Sequence, residues 1–271
     1  MIARSLPQRS GTRRIAAALV TLAGLAGVSI AGGSAPAAAS ADPTQGVRTL
    51  YLVRHGNYDR ADPRPENVGK GLVPIGVAQA RLVGSRLRAD GLRFDAFDSS
   101  PLTRARETAT VIAEELGHPP VQIDPLLEEC TPPTRRRAAV ADEKAEDLAA
   151  CKARLDLLFA RRFRPSPEGD RRELIVAHGN LIRYLVTRAL GVDPEAWLEM
   201  SIGHASLTVI RIEADGSFRV LAVGDVGHLP ASLRTGAAGD PERDLSIPKS
   251  PGVPPQFGAG AAGGGAGPSS R

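Results

Sequence analysis

The sequence of 271 residues is short of cysteine, of net charge and of long apolar segments. Two cysteines, Cys130 and Cys151, limit any crosslinking within the chain to one disulfide. Beyond residue 41 no apolar run approaches the roughly 20 residues that a membrane-spanning helix needs. The chain after residue 41 is therefore predicted to be soluble, with no transmembrane segment.

The first 41 residues have the three parts of a secretory signal. They contain four arginines and no acidic residue, then the apolar run 15–30, and then small residues. The triplet Ala39-Ser40-Ala41 supplies the small side chains that a signal peptidase reads. We predict a signal peptide at 1–41 and a secreted or cell-envelope protein. An uncleaved N-terminal anchor is the alternative, and the export pathway stays open.

The formal charge of +4 disappears with the predicted signal. Four of the 34 Lys and Arg residues lie in 1–41, and the 30 that remain equal the 30 Asp and Glu residues. The basic balance of the whole chain therefore gives no reason to expect nucleic acid as a partner. One basic run, Arg135 to Arg137, would attract an acidic substrate or would simply be solvated, and the second interpretation is favoured.

The two cysteines have two interpretations. An oxidising compartment would permit Cys130 and Cys151 to pair. Alternatively, Cys151 is a small apolar core residue, because it recurs with Leu155 and Leu158 at helical spacing in the segment 141–163. The sequence leaves both open.

Short apolar runs alternate with helical patterns between residues 47 and 235. Strands are predicted at 47–53, 94–100 and 173–177, and each is followed by a segment whose apolar residues recur every three or four positions. Two more strands, 207–213 and 218–224, flank a four-residue turn and predict a hairpin. The alternation predicts an α/β fold. Residues 42–46 are a predicted linker, and the Gly/Pro/Ala-rich residues 236–271 are predicted to be disordered.

Basic side chains follow three of these strands. Arg54 and His55 come after the first strand, Arg104 lies just beyond the second, and His178 follows the third. The carboxyl ends of parallel strands line one edge of a sheet, where helix N-termini also point. Guanidinium and imidazole groups that converge there suit a dianion, and phosphate is the commonest one.

The two histidines suggest chemistry as well as binding. A neutral imidazole is a nucleophile, and its ordinary pKa near 6.5 leaves a neutral fraction at neutral pH. A carboxylic acid is then needed to protonate the leaving oxygen, and Glu128-Glu129 follows the apolar run QIDPLL. Each residue alone has a plain structural interpretation, such as a helix cap for His178. Their recurrence at three strand ends favours a site.

The motifs around these residues resemble those of the histidine-phosphatase (phosphoglycerate-mutase-like) superfamily. LYLVRHGNYD resembles its opening motif, SSPLTRARETATVIAEEL its second-arginine helix, and VAHGNLIRYLVTRALG its second-histidine segment. The resemblance covers about residues 47–233. It implies a three-layer α/β/α domain at 47–235, with a mostly parallel central sheet and a C-terminal hairpin.

The resemblance also implies roles for individual residues. His55 would become the phosphohistidine, Arg54, Arg104 and His178 would complete the phosphate pocket, and Asn57 would add a hydrogen bond. Glu129 would be the proton donor because the family places this acid two residues after a leucine, here Leu127, with Glu128 as the fallback. No metal and no organic cofactor is implied.

Within the superfamily, the sequence is most similar to the branch that includes the mitochondrial phosphoglycerate-mutase-like protein serine/threonine phosphatase, and residues 180–230 resemble the C-terminal half of that protein. Three positions call for comment: Val73 replaces a capping threonine, His204 replaces a more usual asparagine, and His228 fits a structural role. We therefore expect a phosphomonoesterase whose substrate is a phosphoserine/phosphothreonine protein or a small phosphomonoester. A catalytically silent phosphate-binding module on the cell envelope is the alternative, and the oligomeric state is undetermined.

Overall fold

A computed structural model describes residues 45–236, which form a six-stranded mixed sheet between two layers of helices. The strands are β1 (Gln45–Arg54), β2 (Ala96–Ser99), β3 (Gln122–Ile123), β4 (Gly169–Ala177), β5 (Leu207–Ile212) and β6 (Phe218–Asp225). The helices are α1 (Pro74–Ala89), α2 (Thr103–Glu115), α3 (Ala145–Arg162) and α4 (Gly179–Leu190). Short 3₁₀ helices cover Pro125–Leu127, Arg137–Val140, Pro194–Glu199 and Ala231–Leu233.

The sheet has the order β3-β2-β4-β1-β5-β6. The first four of these strands are parallel to one another, whereas β5 and β6 form an antiparallel hairpin beside β1. The predicted α/β fold with a mostly parallel sheet and a C-terminal hairpin is confirmed. β4 lies between β1 and β2, so the carboxyl ends of these three strands meet at one edge.

Alternating side chains of the central strands supply two separate cores. Leu52 of β1 and Ile175 of β4 pack against α3 and α4, whereas Val53 and Val176 pack against α1 and α2. Successive residues of a strand point to opposite faces, so a strand that is apolar at every position must be covered on both sides. This accounts for the three layers.

Most predicted elements lie where the periodicity places them, with shifts at their ends. α1 begins at Pro74, and Val73 before it makes no capping hydrogen bond through its side chain. α2 begins at Thr103 with Leu102 at the cap position, so Pro101 lies just before the cap and not in the first turn of the helix. Proline fixes its own φ and restrains the residue before it, so it suits the turn that leads into the helix equally well.

The loop after β1 packs closely on the start of α1. A Cβ at Gly76 would lie 1.9 Å from the carbonyl oxygen of Asn57, and a Cβ at Gly56 would lie 2.6 Å from that of Gly76. The backbone N–H of Val73 donates to the same Asn57 oxygen at 3.2 Å. Glycine at 56 and 76 therefore lets the loop that carries His55 lie directly against the helix.

Cys130 and Cys151 form a disulfide that joins the segment after the Pro125–Leu127 helix to α3. Cys151 is also buried among the leucines of α3, as the helical spacing predicted. The two interpretations of this residue are thus compatible.

The predicted signal peptide and almost all of the predicted tail lie outside the described residues. Over residues 45–236, no helix is long and apolar enough to cross a membrane.

Candidate active site

The ends of β1, β2 and β4 bring the predicted site residues together. In the parallel register, Arg54 pairs with Ala177 and Ser99 pairs with Val176, so the residues that follow each strand are neighbours. The ring centroids of His55 and His178 lie 5.1 Å apart. Both rings are buried, with exposed fractions of 2% and 0%.

The ring of His55 has a defined orientation. Its Nδ1 lies 2.8 Å from the carbonyl oxygen of Gly56. A carbonyl oxygen only accepts hydrogen bonds, so Nδ1 carries the proton and donates it. Nε2 of the neutral ring is therefore an unprotonated acceptor, and it receives the Nε–H of Arg104 at 3.3 Å.

Arg104 enters the site from the first turn of α2. Its Nη1 donates to Oε2 of Glu66 at 2.9 Å, and its guanidinium carbon lies 4.8 Å from the centre of the Tyr58 ring. These contacts and the bond to His55 fix a cation that is 3% exposed.

His178 is the cap residue of α4 and faces His55 from the end of β4. Its Nε2 lies 2.7 Å from Oγ of Ser100. Nδ1 is buried and has no hydrogen-bond partner among the described residues. When the hydroxyl of Ser100 donates to Nε2, Nδ1 carries the proton and is available to an incoming acceptor.

Arg54 is held by the backbone on one side of its guanidinium. Nη1 donates to the carbonyl oxygens of Ile202 and Gly236, at 2.5 Å and 2.6 Å, and Nη2 donates to Nε2 of His204 at 3.2 Å. Nε is buried without a hydrogen-bond partner within residues 45–236. The Nε–H of Arg54 is thus an unoccupied donor inside the cluster.

Glu129 and Glu128 point in different directions. Glu129 is partly buried, accepts from the backbone N–H of Asn180 at 3.4 Å, and interacts electrostatically with Arg54. Glu128 is more exposed, and its carboxylate pairs with Arg154 of α3 at 3.5 Å. Of the two, the structure brings Glu129 to the cluster.

Asn57 lies in the loop directly after His55. Its side-chain oxygen accepts from the backbone N–H of Tyr58 at 3.0 Å, and its own backbone N–H donates to Oε1 of Gln79 at 2.8 Å. A hydrogen bond from Asn57 to phosphate would come from its side-chain NH₂ group, because phosphate oxygens only accept, and this contact stays a prediction.

Sequence reasoning did not place His204 and Tyr58 in the site. The ring of His204 lies 5.4 Å from that of His55, and the ring of Tyr58 lies 5.2 Å from it. Nδ1 of His204 bonds to Oγ1 of Thr235 at 2.9 Å, which ties the C-terminal end of the described chain to the site. The unusual histidine at 204 was the only available signal, since its neighbours come from distant segments.

Burial shifts the pKa of several groups in this cluster. The pKa values of His55, His178 and His204 are lowered well below 6.5, first by burial and then by neighbouring cationic or imidazole groups. Burial raises the pKa of Glu129, against the opposing effect of Arg54. Burial also lowers the pKa of Arg54 to about 10, which leaves it charged at neutral pH. Neutral imidazoles therefore stand beside charged guanidinium groups.

Within residues 45–236 no group of three or more His, Cys, Asp or Glu side chains is arranged to hold a metal ion. Nε of Arg54 and Nδ1 of His178 lack partners in this part of the chain. Nε is an N–H donor, and so is Nδ1 when Ser100 donates to Nε2 of His178, and two such donors suit an anion. The arrangement can accept a tetrahedral oxyanion beside the unprotonated Nε2 of His55.

Two curated proteins similar to this chain carry the same name. Serine/threonine-protein phosphatase Pgam5, mitochondrial, of Caenorhabditis elegans is 37% identical over 192 residues, which are 68% of this chain and 65% of the relative. The protein of the same name from Drosophila grimshawi is 36% identical over 195 residues, 70% of this chain and 67% of the relative. The chain thus spans less than two thirds of the length of the Caenorhabditis elegans relative.

These relatives contradict the predicted secreted or cell-envelope location, because both are named as mitochondrial. The prediction rested on residues 1–41, whose arginines and lack of acidic residues were interpreted as a secretory signal. An arginine-rich, acid-poor segment is equally typical of a mitochondrial transit peptide. Composition alone does not separate the two.

Solved structures and the family's sequence model agree with the motifs. The putative alpha-ribazole-5'-P phosphatase from Escherichia coli superposes with a TM-score of 0.53 at 21% identity, covering 66% of this chain and 96% of that chain, and shows the fold alone. The sequence model of the histidine phosphatase superfamily (branch 1) matches residues 50–133 and 131–226. The prediction of an enzyme of this superfamily is confirmed at the level of the family. The chain belongs to the histidine phosphatase superfamily, branch 1.

Proposed function

We propose that this protein is a phosphomonoesterase that acts on phosphoserine and phosphothreonine in proteins through a phosphohistidine at Nε2 of His55. The observation that carries the proposal is the hydrogen bond from Nδ1 of His55 to the carbonyl oxygen of Gly56. It leaves Nε2 as the nucleophilic atom, and the lowered pKa of His55 keeps the ring neutral at neutral pH.

The cationic groups around Nε2 would bind the phosphoryl oxygens. Arg104 and Arg54 each present a guanidinium, and Nδ1 of His178 adds a neutral donor. As the bond from Nε2 to phosphorus forms and the bond to the leaving oxygen breaks, negative charge spreads over the phosphoryl oxygens. Fixed donors in a buried site stabilise that charge without having to reorganise.

Glu129 would handle the proton in both steps. Its raised pKa favours the protonated acid, which passes its proton to the leaving serine or threonine oxygen. The resulting carboxylate then takes a proton from water as that water attacks phosphorus, which breaks the bond to Nε2 and releases inorganic phosphate. Glu129 is protonated again, and His55 returns to its neutral form.

The substrate class rests on the relatives, which are named as serine/threonine-protein phosphatases. The arginines at 135–137 do not form an unpaired basic patch, because Arg136 donates to Oε2 of Glu199 at 2.6 Å and Arg137 to Oε2 of Glu195 at 3.0 Å. We therefore assign no acidic-substrate preference to this run. A panel of phosphopeptides and sugar phosphates tests the class, and faster turnover of the sugar phosphates would contradict it.

The mechanism is tested by trapping the intermediate. The wild-type protein is mixed with a phosphoserine peptide carrying labelled phosphate and quenched in alkali, which preserves phosphohistidine. We expect label on His55 and none in His55→Ala, which also loses turnover of p-nitrophenyl phosphate. The exposed His118 offers a matched control, and His118→Ala should label like wild type. Activity of His55→Ala within about tenfold of wild type would sink the mechanism, since a lost nucleophile costs far more.

A further inference from the structure

The first turn of α4 holds the carboxylate of Glu129. Oε2 accepts from the backbone N–H of Asn180 at 3.4 Å, while Oε1 accepts from the N–H of Cys130 at 3.2 Å. The side-chain Nδ2 of Asn180 donates to the carbonyl oxygen of Cys130, also at 3.2 Å. Asn180 therefore binds both the carboxylate and the residue that follows it.

Arg183, one turn further along α4, fixes the side chain of Asn180. Nη2 of Arg183 donates to Oδ1 of Asn180 at 2.8 Å, and Nε donates to the carbonyl oxygen of Gly179 at 3.0 Å. A guanidinium has no acceptor, so the amide oxygen of Asn180 must face Arg183 and its NH₂ group must face Cys130. Arg183 thus determines which end of the amide reaches the segment that carries Glu129.

Arg183 is a buried cation whose hydrogen bonds are incomplete. It is 3% exposed and lies over the ring of Trp197, with 4.8 Å from its guanidinium carbon to the ring centre. Its Nη1 has no hydrogen-bond partner within residues 45–236, and burial lowers its pKa to about 10. An apolar side chain would pack on Trp197 without the cost of burying a charge. The charge at 183 therefore calls for a role beyond packing.

The guanidinium groups of Arg54 and Arg183 lie on the same side of Gly179. A Cβ at Gly179 would lie 3.3 Å from Nε of Arg54 and 3.4 Å from Nη2 of Arg183. Glu129 interacts with both cations, and each favours its ionised form. The charge of Arg183 is therefore directed at the carboxylate as well as at Asn180.

We propose that Arg183 is a positioning residue that acts through Asn180 to hold the carboxylate of Glu129 in place for proton transfer. The inference rests on the proposed function, in which Glu129 protonates the leaving oxygen. The charged groups that face Glu129 are Arg54 from β1, Arg104 from α2 and Arg183 from α4, while Arg154 of α3 is bound to Glu128 beside it. Removal of the charge at 183 takes away one of the cations that keep the pKa of Glu129 from rising further.

The test compares Arg183→Met with Arg183→Lys on two substrates. Arg183→Met should lower kcat for a phosphoserine peptide by about tenfold or more, because an alkoxide leaves poorly without a well-placed acid. Turnover of p-nitrophenyl phosphate, whose phenolate leaves without a proton, should fall by less than about threefold. The alkaline limb of the pH profile of kcat should move to higher pH by about half a unit, because Glu129 stays protonated up to a higher pH. Arg183→Lys keeps the charge, so its limb should stay in place.

Two further variants guard against a merely structural effect. Asn180→Ala removes the amide bridge but keeps every charge, so it should show the loss on phosphoserine without a shift of the limb. If Arg183→Met does not fold, the kinetics of Asn180→Ala test the inference instead. Arg188 is a matched control on the same helix, because it lies 4.7 Å from the ring centre of Phe159 and takes no part in the site. Arg188→Met should leave both substrates and the limb unchanged.

Equal losses on both substrates in Arg183→Met and Asn180→Ala would overturn the inference, as would an unmoved alkaline limb in a folded Arg183→Met. Failure of the proposed function looks different, since the wild-type protein would then carry no label on His55. If the wild-type protein is labelled on His55 and Arg183→Met has wild-type kinetics on both substrates, only the role of Arg183 is contradicted.

Discussion

The Nε–H of Arg104 donates a hydrogen bond to Nε2 of His55 at 3.3 Å. The guanidinium is held at its other end by Glu66 and across its face by Tyr58, so it has little freedom to turn away. A phosphoryl group attached at Nε2 would therefore meet this cation directly. The contact links the helix that follows β2 to the loop that follows β1.

Loss of Arg104 should reduce catalysis far more than binding. We expect Arg104→Gln to lower kcat for a phosphoserine peptide by about 10²–10³-fold, the usual cost of removing a donor to developing negative charge, with a smaller change in KM. The kcat of Arg104→Lys should lie between those of this variant and the wild type, because lysine keeps the charge but lacks the planar set of N–H donors of arginine. Arg106→Gln, on the exposed side of the same helix, is the matched control for steady-state kinetics. A loss below threefold in Arg104→Gln would contradict this role.

The two adjacent glutamates should differ sharply. Glu129→Gln cannot donate a proton, so kcat for phosphoserine should fall by about 10²–10⁴-fold, and the fall should be smaller for p-nitrophenyl phosphate. Glu128→Gln loses only a partly exposed pair with Arg154 and should stay near wild type. Both variants are compared by kcat on the two substrates. A larger loss of kcat in Glu128→Gln than in Glu129→Gln would assign the proton donor to Glu128 and not to Glu129.

Three buried histidines should make stability fall at acidic pH. The pKa values of His55, His178 and His204 are lowered in the folded protein, whereas the unfolded chain binds protons near 6.5. The unfolded state therefore holds more protons as pH falls below 6.5, and the free energy of unfolding decreases there. Each histidine contributes a slope of up to about 1.4 kcal/mol per pH unit.

Urea denaturation between about pH 5.5 and 7.5 measures this slope. His204→Asn should show a smaller slope than wild type, because one of the three groups no longer titrates. A free energy of unfolding that stays level below pH 6.5 would mean that the histidines are charged in the folded state.

The disulfide should contribute about 3 kcal/mol to the free energy of unfolding, as expected for a loop closed by cysteines 21 residues apart. Denaturation of the wild-type protein with and without reductant measures the difference. The double variant Cys130→Ser/Cys151→Ser should match the reduced protein and should not respond to reductant. Identical midpoints for oxidised and reduced wild type would show that the bond contributes nothing.

Local periodicity was enough to find most of the elements. β1 and the two strands of the β5–β6 hairpin each carry a clear apolar pattern, and their observed bounds differ from the predicted ones by at most two residues. β3 was not predicted as a strand, because it has two exposed residues and exists through its pairing with β2. A strand of that length has no periodicity of its own.

The candidate site divides in the same way. Arg54, His55, Arg104 and His178 could be named because each follows a strand or opens a helix, and the chain order of those elements fixes the edge of the sheet. Glu129 needed the family resemblance, since Glu128 has the same chemistry one residue away. His204 joins the site through Arg54 and Thr235, whose segments are far from it in the chain.

The sequence by itself determined the α/β class, the family and the basic residues at the strand ends, because these follow from short-range patterns of apolar and charged side chains. Tertiary structure alone decided which glutamate faces the cluster, which nitrogen of His55 is unprotonated, and that Arg183 reaches Glu129 through Asn180. Each relationship depends on the direction in which a side chain turns, whether its partner is adjacent, as Gly56 is to His55, or distant, as Asn180 is from Glu129. No local pattern of apolar and charged residues records that direction.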